Sequence, residues 1–89
     1  MVVAKKDRAL PDDYIEDIKD RVRHRFPDAE FRVHQLKPLE YRIDVIADFE
    51  DSFDILDLTS ERESDILVDT GIWIVTLPIR RSELAEIED

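Results

Sequence analysis

Residues 69–79 read Asp-Thr-Gly-Ile-Trp-Ile-Val-Thr-Leu-Pro-Ile, and they include Gly71, the only glycine of the chain. This glycine separates a helix-like segment ending at Thr70 from an apolar run. A single glycine in that position predicts a left-handed residue that ends a helix before a strand. The run 72–79 is apolar on both of its faces, which is typical of a strand covered on both sides or of an interface strand.

The segments before this stretch predict a helix and a hairpin. Apolar residues recur at helical spacing between Pro11 and Phe26, and Pro27 is expected to end that helix. Residues 29–34 and 41–48 instead alternate with a period of two around the turn 37–39, which indicates two antiparallel strands. A second helix is expected to start at a cap formed by Asp51 or Ser52 and to run to about Thr70.

The predicted element order is therefore α-β-β-α-β. Because strand–helix–strand crossovers are right-handed, the third strand should run parallel to the second. We expect an α+β, two-layer sandwich in which two helices cover one face of a three-stranded mixed sheet. Residues 1–9 are predicted to form a flexible N-terminal arm, residues 10–81 a single domain, and residues 82–89 a short acidic C-terminal turn capped by Ser82.

Composition excludes several classes of function. The chain has 89 residues, no cysteine and a net charge of −10. One glycine cannot build the loops that cradle nucleotide phosphates, so no cofactor is expected. No signal peptide or apolar membrane span is recognisable, and the lack of cysteine suits a reducing compartment, so we expect a cytoplasmic protein without membrane contacts.

Acidic residues are concentrated in one segment. Residues 48–69 contain nine acidic side chains and a single basic one, Arg62. Such a field repels phosphate backbones, so nucleic acid is not an expected partner. Four of the acidic residues fall on one face of the second predicted helix: Asp54, Asp57, Glu61 and Asp65. This face is either a docking surface for a basic partner or a solvated surface that keeps the protein soluble.

Two helices cannot cover both faces of the predicted sheet. An apolar set on the third strand, together with one residue of the second strand, is therefore expected to point outward: Trp73, Val75, Leu77, Ile79 and Ile46. Exposed apolar patches mark contact surfaces, so the sequence predicts dimerisation or binding of a partner here. The alternative is that the third strand is simply part of the core.

Few residues are candidates for catalysis or metal binding. Glu63 falls on the apolar side of the second helix. It is either a general acid or base with a raised pKa, or a structural carboxylate that binds an arginine such as Arg42 or reaches solvent at the edge of the apolar side. His24 and His34 each lack a neighbouring ligand in the sequence, and residues 48–54 lack the order of a calcium loop. No serine stands in a recognisable triad, so neither a metal site nor catalysis is predicted.

Residues 41–47, 56–61 and 69–79 resemble part of the minimal nucleotidyltransferase domains, a family of small proteins that includes antitoxins. That family has a glycine–serine turn and then two acidic residues, one residue apart, that hold metal ions on nucleotide phosphates. Here residues 35–37 read Gln-Leu-Lys, Arg42 occupies the position of the first acid, and Asp44 matches the second. Because arginine does not bind magnesium, the resemblance implies a degenerate relative without catalysis.

Together these observations predict a small non-catalytic interaction domain that associates with itself or binds one protein partner. The outward face of the sheet would supply the apolar contact, and the acidic helix the charge selectivity. The alternative is a degenerate, antitoxin-type relative of the nucleotidyltransferases.

Overall fold

The computed structural model describes residues 11–87, with side chains described as far as residue 84. The predicted flexible arm, residues 1–9, therefore lies outside the described residues. The predicted order α-β-β-α-β is confirmed, and one further helix follows it. The elements are α1 (Pro11–Arg25), β1 (Glu30–Lys37), β2 (Glu40–Ala47), α2 (Phe53–Thr70), β3 (Trp73–Arg80) and α3 (Arg81–Ile87).

The three strands form one mixed sheet in the order β1-β2-β3. β1 and β2 form the predicted antiparallel hairpin, and β3 runs parallel to β2 as the crossover rule requires. The hairpin register shifts between Gln35 and Lys37, an irregularity that strict alternation did not predict. Because β2 is central, β1 and β3 are the edge strands of the sheet formed by the described residues.

The two long helices lie on one face of the sheet, with α1 over β1 and α2 over β3. Lys19 and Arg23 of α1 lie above the ring of Phe31 in β1. In α2, Glu63 accepts a hydrogen bond from Thr76 of β3. The core between these layers comprises Ile15, Ile18, Val22, Ile43, Val45, Ala47, Phe49, Ile55, Ile66, Ile72 and Ile74.

The ends of α2 show why the helix occupies these residues. Gly71 has a φ of +81°, and its N–H donates to the carbonyl of Leu67 at 2.9 Å, as expected of a left-handed helix end. At the other end, Ser52 occupies the N-cap position without a side-chain bond. The carboxylate of Asp51 instead accepts from the N–H of Phe53 at 3.0 Å, so Asp51 supplies the side-chain cap.

α3 begins earlier than the predicted C-terminal turn. Its first residue is Arg81, so Ser82 lies inside the helix and does not cap it. The Arg81 guanidinium donates to Glu30 and to the carbonyl of Asp28, each at 2.9 Å, which ties the start of α3 to the beginning of β1. α3 also contacts β2 and β3. None of the helices within residues 11–87 is both long and apolar enough to cross a lipid bilayer.

Candidate protein interface

The side of the sheet opposite α1 and α2, here called the outer face, carries the predicted apolar row. Trp73, Val75, Leu77 and Ile79 of β3 lie on it, because their neighbours in the sequence, Ile72 and Ile74, belong to the core. In the parallel register these four residues stand beside Glu40, Arg42, Asp44 and Ile46 of β2, respectively. The five residues predicted to point away from the helices therefore do share one face.

Their exposure differs along the strand. Trp73 is 51% exposed and Leu77 is 44% exposed, whereas Val75 and Ile79 are half-buried. Ile46 is completely buried, although it belongs to the outer face. The expectation that Ile46 is exposed was therefore wrong. Ile46 lies in the central strand between Glu30 of β1 and Ile79 of β3, at the end of the sheet where α3 begins. The accessible part of the outer face is the half that contains Trp73, Val75 and Leu77.

A groove of about 210 Å³ extends this apolar surface across the end of the sheet. Leu36, Glu40, Tyr41, Trp73 and Val75 line it. Leu36 is 52% exposed and lies within the register irregularity of β1. Sequence alternation gave no reason to single out Leu36, because the irregularity depends on how the two strands pair.

A buried carboxylate lies beside the apolar row. Asp44 is only 6% exposed and accepts hydrogen bonds from Arg42 Nε at 2.9 Å, while His34 Nε2 lies 2.9 Å from its other oxygen. His34 has no ligand beside it in the sequence, and its contact with Asp44 joins residues ten positions apart. The contact arises because His34 pairs with Arg42 across the hairpin, which places its ring diagonally against Asp44.

Charges on the outer face balance one another, in contrast to the net charge of the chain. The strand positions on this face include three acidic and three basic residues: Glu30, Glu40, Asp44, Arg32, Lys37 and Arg42. Residues 73–79 carry no charge at all. Another protein surface can therefore approach the outer face without facing the bulk of the negative charge.

Glu63 is on the other side of the sheet, between α2 and β3. Its carboxylate is half-buried, and the hydroxyl groups of Thr76 and Thr59 contact it. Burial raises the pKa of Glu63 above its ordinary value, and the two threonine hydrogen bonds partly oppose that shift. The expectation of Arg42 as its partner was wrong, because Arg42 lies on the outer face. The interpretation of Glu63 as a structural carboxylate stays a prediction.

The acidic side of α2 does not adjoin the outer face. Asp57, Glu61 and Asp65 are exposed, while Asp54 is half-buried and accepts a bond from the N–H of Asp51 at 3.3 Å. Because α2 packs on the helical side of the sheet, these carboxylates and Trp73 are on opposite sides of it. The acidic side of α2 and the outer face, which were predicted to act together in binding, are therefore two separate surfaces.

The described side chains, those of residues 11–84, include no group of three or more His, Asp or Glu residues arranged to hold a metal ion. Asp44, which matches the second acid of the nucleotidyltransferase pattern, contacts Arg42 at the first position. Comparison with family models, curated proteins and solved structures gives no match to this chain. The resemblance to that family stays a prediction.

Proposed function

We propose that this chain is a small, non-catalytic cytoplasmic domain that binds a second copy of itself or one protein partner through the outer face of its sheet. One observation carries this proposal: Trp73 and Leu77, both exposed, lie on the face of the sheet that α1 and α2 do not cover. They are separated by Val75, the next residue of β3 on the same face. Large apolar side chains in contiguous patches are typical of contact surfaces, and tryptophan is enriched among residues that dominate binding energy.

The charge pattern supports the same assignment. An association driven by apolar contact has to overcome repulsion between chains of net charge −10. The outer face is the part of the sheet where acidic and basic residues balance, so the repulsion there is lowest. The acidic side of α2 is a separate surface. It would favour partners that carry a basic region outside the part that contacts the outer face.

The test uses two differently tagged copies of the chain expressed in the native cell. The double variant Trp73→Ser/Leu77→Ser should lose both the second copy and any stoichiometric partner. Val68→Ser is the matched control. Val68 is 84% exposed on α2, so this substitution removes an exposed apolar side chain that is not on the outer face. If the double variant retains every partner bound by the control, the outer face is not the binding surface.

A further inference from the structure

The accessible charge on the outer face is more basic than its balanced composition indicates. Two of its three acidic side chains are already engaged, since Asp44 is buried and Glu30 accepts a hydrogen bond from Arg81 at 2.9 Å. The three basic side chains of this face are exposed or half-buried. The outer face therefore attracts a carboxylate, although the chain as a whole, with its net charge of −10, repels one.

Arg42, on the central strand of this face, presents a second pair of hydrogen-bond donors. Its Nε donates to Asp44 Oδ1 at 2.9 Å, and its Nη2 lies 3.5 Å from Asp44 Oδ2. The other pair, formed by Nη1 and the second hydrogen of Nη2, makes no hydrogen bond within residues 11–84, and the Arg42 side chain is 38% exposed. Because a guanidinium binds carboxylates through two parallel N–H groups, a second carboxylate fits this outer donor pair.

Asp44 keeps the outer donor pair of Arg42 in place. The buried carboxylate of Asp44 is bound by Arg42 at one oxygen and lies 2.9 Å from His34 Nε2 at the other. Loss of a partner from a buried carboxylate is costly, so Arg42 is held in one orientation across the sheet. A side chain that is already ordered loses less conformational freedom when a ligand binds. Asp44 is therefore a positioning residue for Arg42.

The apolar groove begins directly beside Arg42. In the parallel register Arg42 stands next to Val75, and the preceding pair on the same face is Glu40 and Trp73, both of which line the groove. Successive residues on one face of a strand are about 6.6 Å apart. An extended chain with a carboxylate on Arg42 thus places the side chain two residues away over the groove. The charge of Glu40 disfavours another carboxylate there, so that side chain is apolar.

We propose that the outer face binds an extended segment of a different protein, in which an aspartate or glutamate stands two residues from a large apolar side chain. The carboxylate of this segment binds the outer donor pair of Arg42, and its apolar side chain enters the groove beside Trp73. This inference rests on the proposed function and specifies the chemistry of the partner.

The described strands of a second copy do not supply such a segment. Their acidic residues are Glu30, Glu40 and Asp44. None of the three has an exposed, large apolar residue two positions away, because the residues at that distance are Asp28, Arg32, Pro38, Arg42 and the completely buried Ile46. Charge complementarity therefore favours a different protein as the source of the segment.

Two short peptides test the requirement for a carboxylate. The probe is acetyl-Thr-Glu-Thr-Leu-Thr-amide, and its control has Gln in place of Glu. Binding is followed by the NMR shift of the indole N–H of Trp73, the only tryptophan. The wild-type chain should bind the Glu peptide at least about fivefold more tightly than the Gln peptide. The net charge of −10 opposes the Glu peptide, so such a preference arises locally.

Removal of the pair formed by Arg42 and Asp44 tests the assignment to Arg42. The double variant Arg42→Gln/Asp44→Asn eliminates both charges, so no unpaired carboxylate stays buried, and far-ultraviolet circular dichroism checks its fold. In this variant the ratio of the two peptide affinities should fall to about one. Arg21→Gln is the matched control, because it removes an arginine that contacts Asp17 on α1, and it should keep the preference.

The outcomes separate failure of this inference from failure of the proposed function. Equal affinity of the wild-type chain for the two peptides, or no shift of Trp73 with either at millimolar concentration, would overturn the inference. An unchanged affinity ratio in the folded double variant would do the same. If the tagged chain then still recovers a second copy or a partner through Trp73 and Leu77, the proposed function stands. If it recovers neither, both fail.

Discussion

Replacing Trp73 with alanine separates a contact residue from a core residue. A tryptophan that is fully enclosed buries roughly 150–250 Å², and about half of Trp73 stays exposed in the single copy. The monomer therefore buries about 100 Å² of this side chain, which at about 25 cal/mol per Å² corresponds to ~2.5 kcal/mol. Because the unfolded chain also hides part of that area, we expect Trp73→Ala to lower the free energy of unfolding by about 2 kcal/mol.

The matched comparison is Ile18→Ala, since Ile18 is completely buried in the core. Truncation of a buried isoleucine costs about 2–5 kcal/mol, so Ile18→Ala should be the more destabilising change despite removing a smaller side chain. Urea unfolding at micromolar concentration gives both values. The transition should be followed by far-ultraviolet circular dichroism, because Trp73 is the only tryptophan and its removal abolishes the fluorescence signal.

The two variants should also differ in self-association. Trp73→Ala should weaken the dimer as measured by sedimentation, whereas Ile18→Ala should leave the affinity of the folded fraction unchanged. If Trp73→Ala destabilises the dilute protein as much as Ile18→Ala does, and self-association is unaltered, then Trp73 is a core residue and the reasoning is refuted.

Three further changes test individual parts of the structure. Gly71→Ala places a Cβ where no atom lies within 4 Å, but it forces a residue with a side chain onto a φ of +81°. Thermal unfolding should therefore show a loss of about 1 kcal/mol in the free energy of unfolding. An unchanged midpoint would contradict the left-handed helix end. Asp44→Asn removes the charge from two hydrogen bonds of a buried carboxylate and should cost about 2 kcal/mol in urea unfolding, whereas a neutral result would mean that these bonds do not stabilise the outer face. Glu63→Gln keeps an acceptor for Thr76 but cannot ionise. Because burial raises the pKa of Glu63 in the folded state, its protonated form favours folding below its ordinary value of 4.5, and that contribution is lost as the pH rises through the folded pKa. Glu63→Gln should therefore be more stable than the wild type at pH 7, with the difference closing below about pH 4.5; a variant that is less stable at pH 7 than at pH 4, relative to wild type, would contradict the assigned direction.

The order and direction of the helices and strands were predictable because the residue spacing, the position of Gly71 and the crossover rule all indicated the same fold. The change from helical spacing to alternation located the hairpin, and Gly71 located the junction between α2 and β3. Handedness of the crossover then fixed the direction of β3. Each of these steps depends on residues that are close in sequence or on a rule that holds for most sheets.

The errors concern contacts between residues that are distant in sequence. The sequence did not indicate that Thr76 would meet Glu63, since that contact depends on the registration of α2 over β3. Ile46 and Asp44 are buried in the central strand, where each stands between residues of β1 and β3 that are distant in the sequence. Alternation assigns a residue to a face of a strand but does not show how much of that face a neighbouring element covers.

Quenching of Trp73 fluorescence by acrylamide tests the central claim most directly, because Trp73 is the only tryptophan of the chain and is 51% exposed in the single copy. Acrylamide is neutral, so the net charge of −10 does not change its access to the side chain. We predict that quenching weakens between micromolar and millimolar concentration of the chain, or on addition of the stoichiometric partner that the tagged chain recovers. Quenching that stays unchanged in both experiments would contradict an outer face that binds a second copy or a partner.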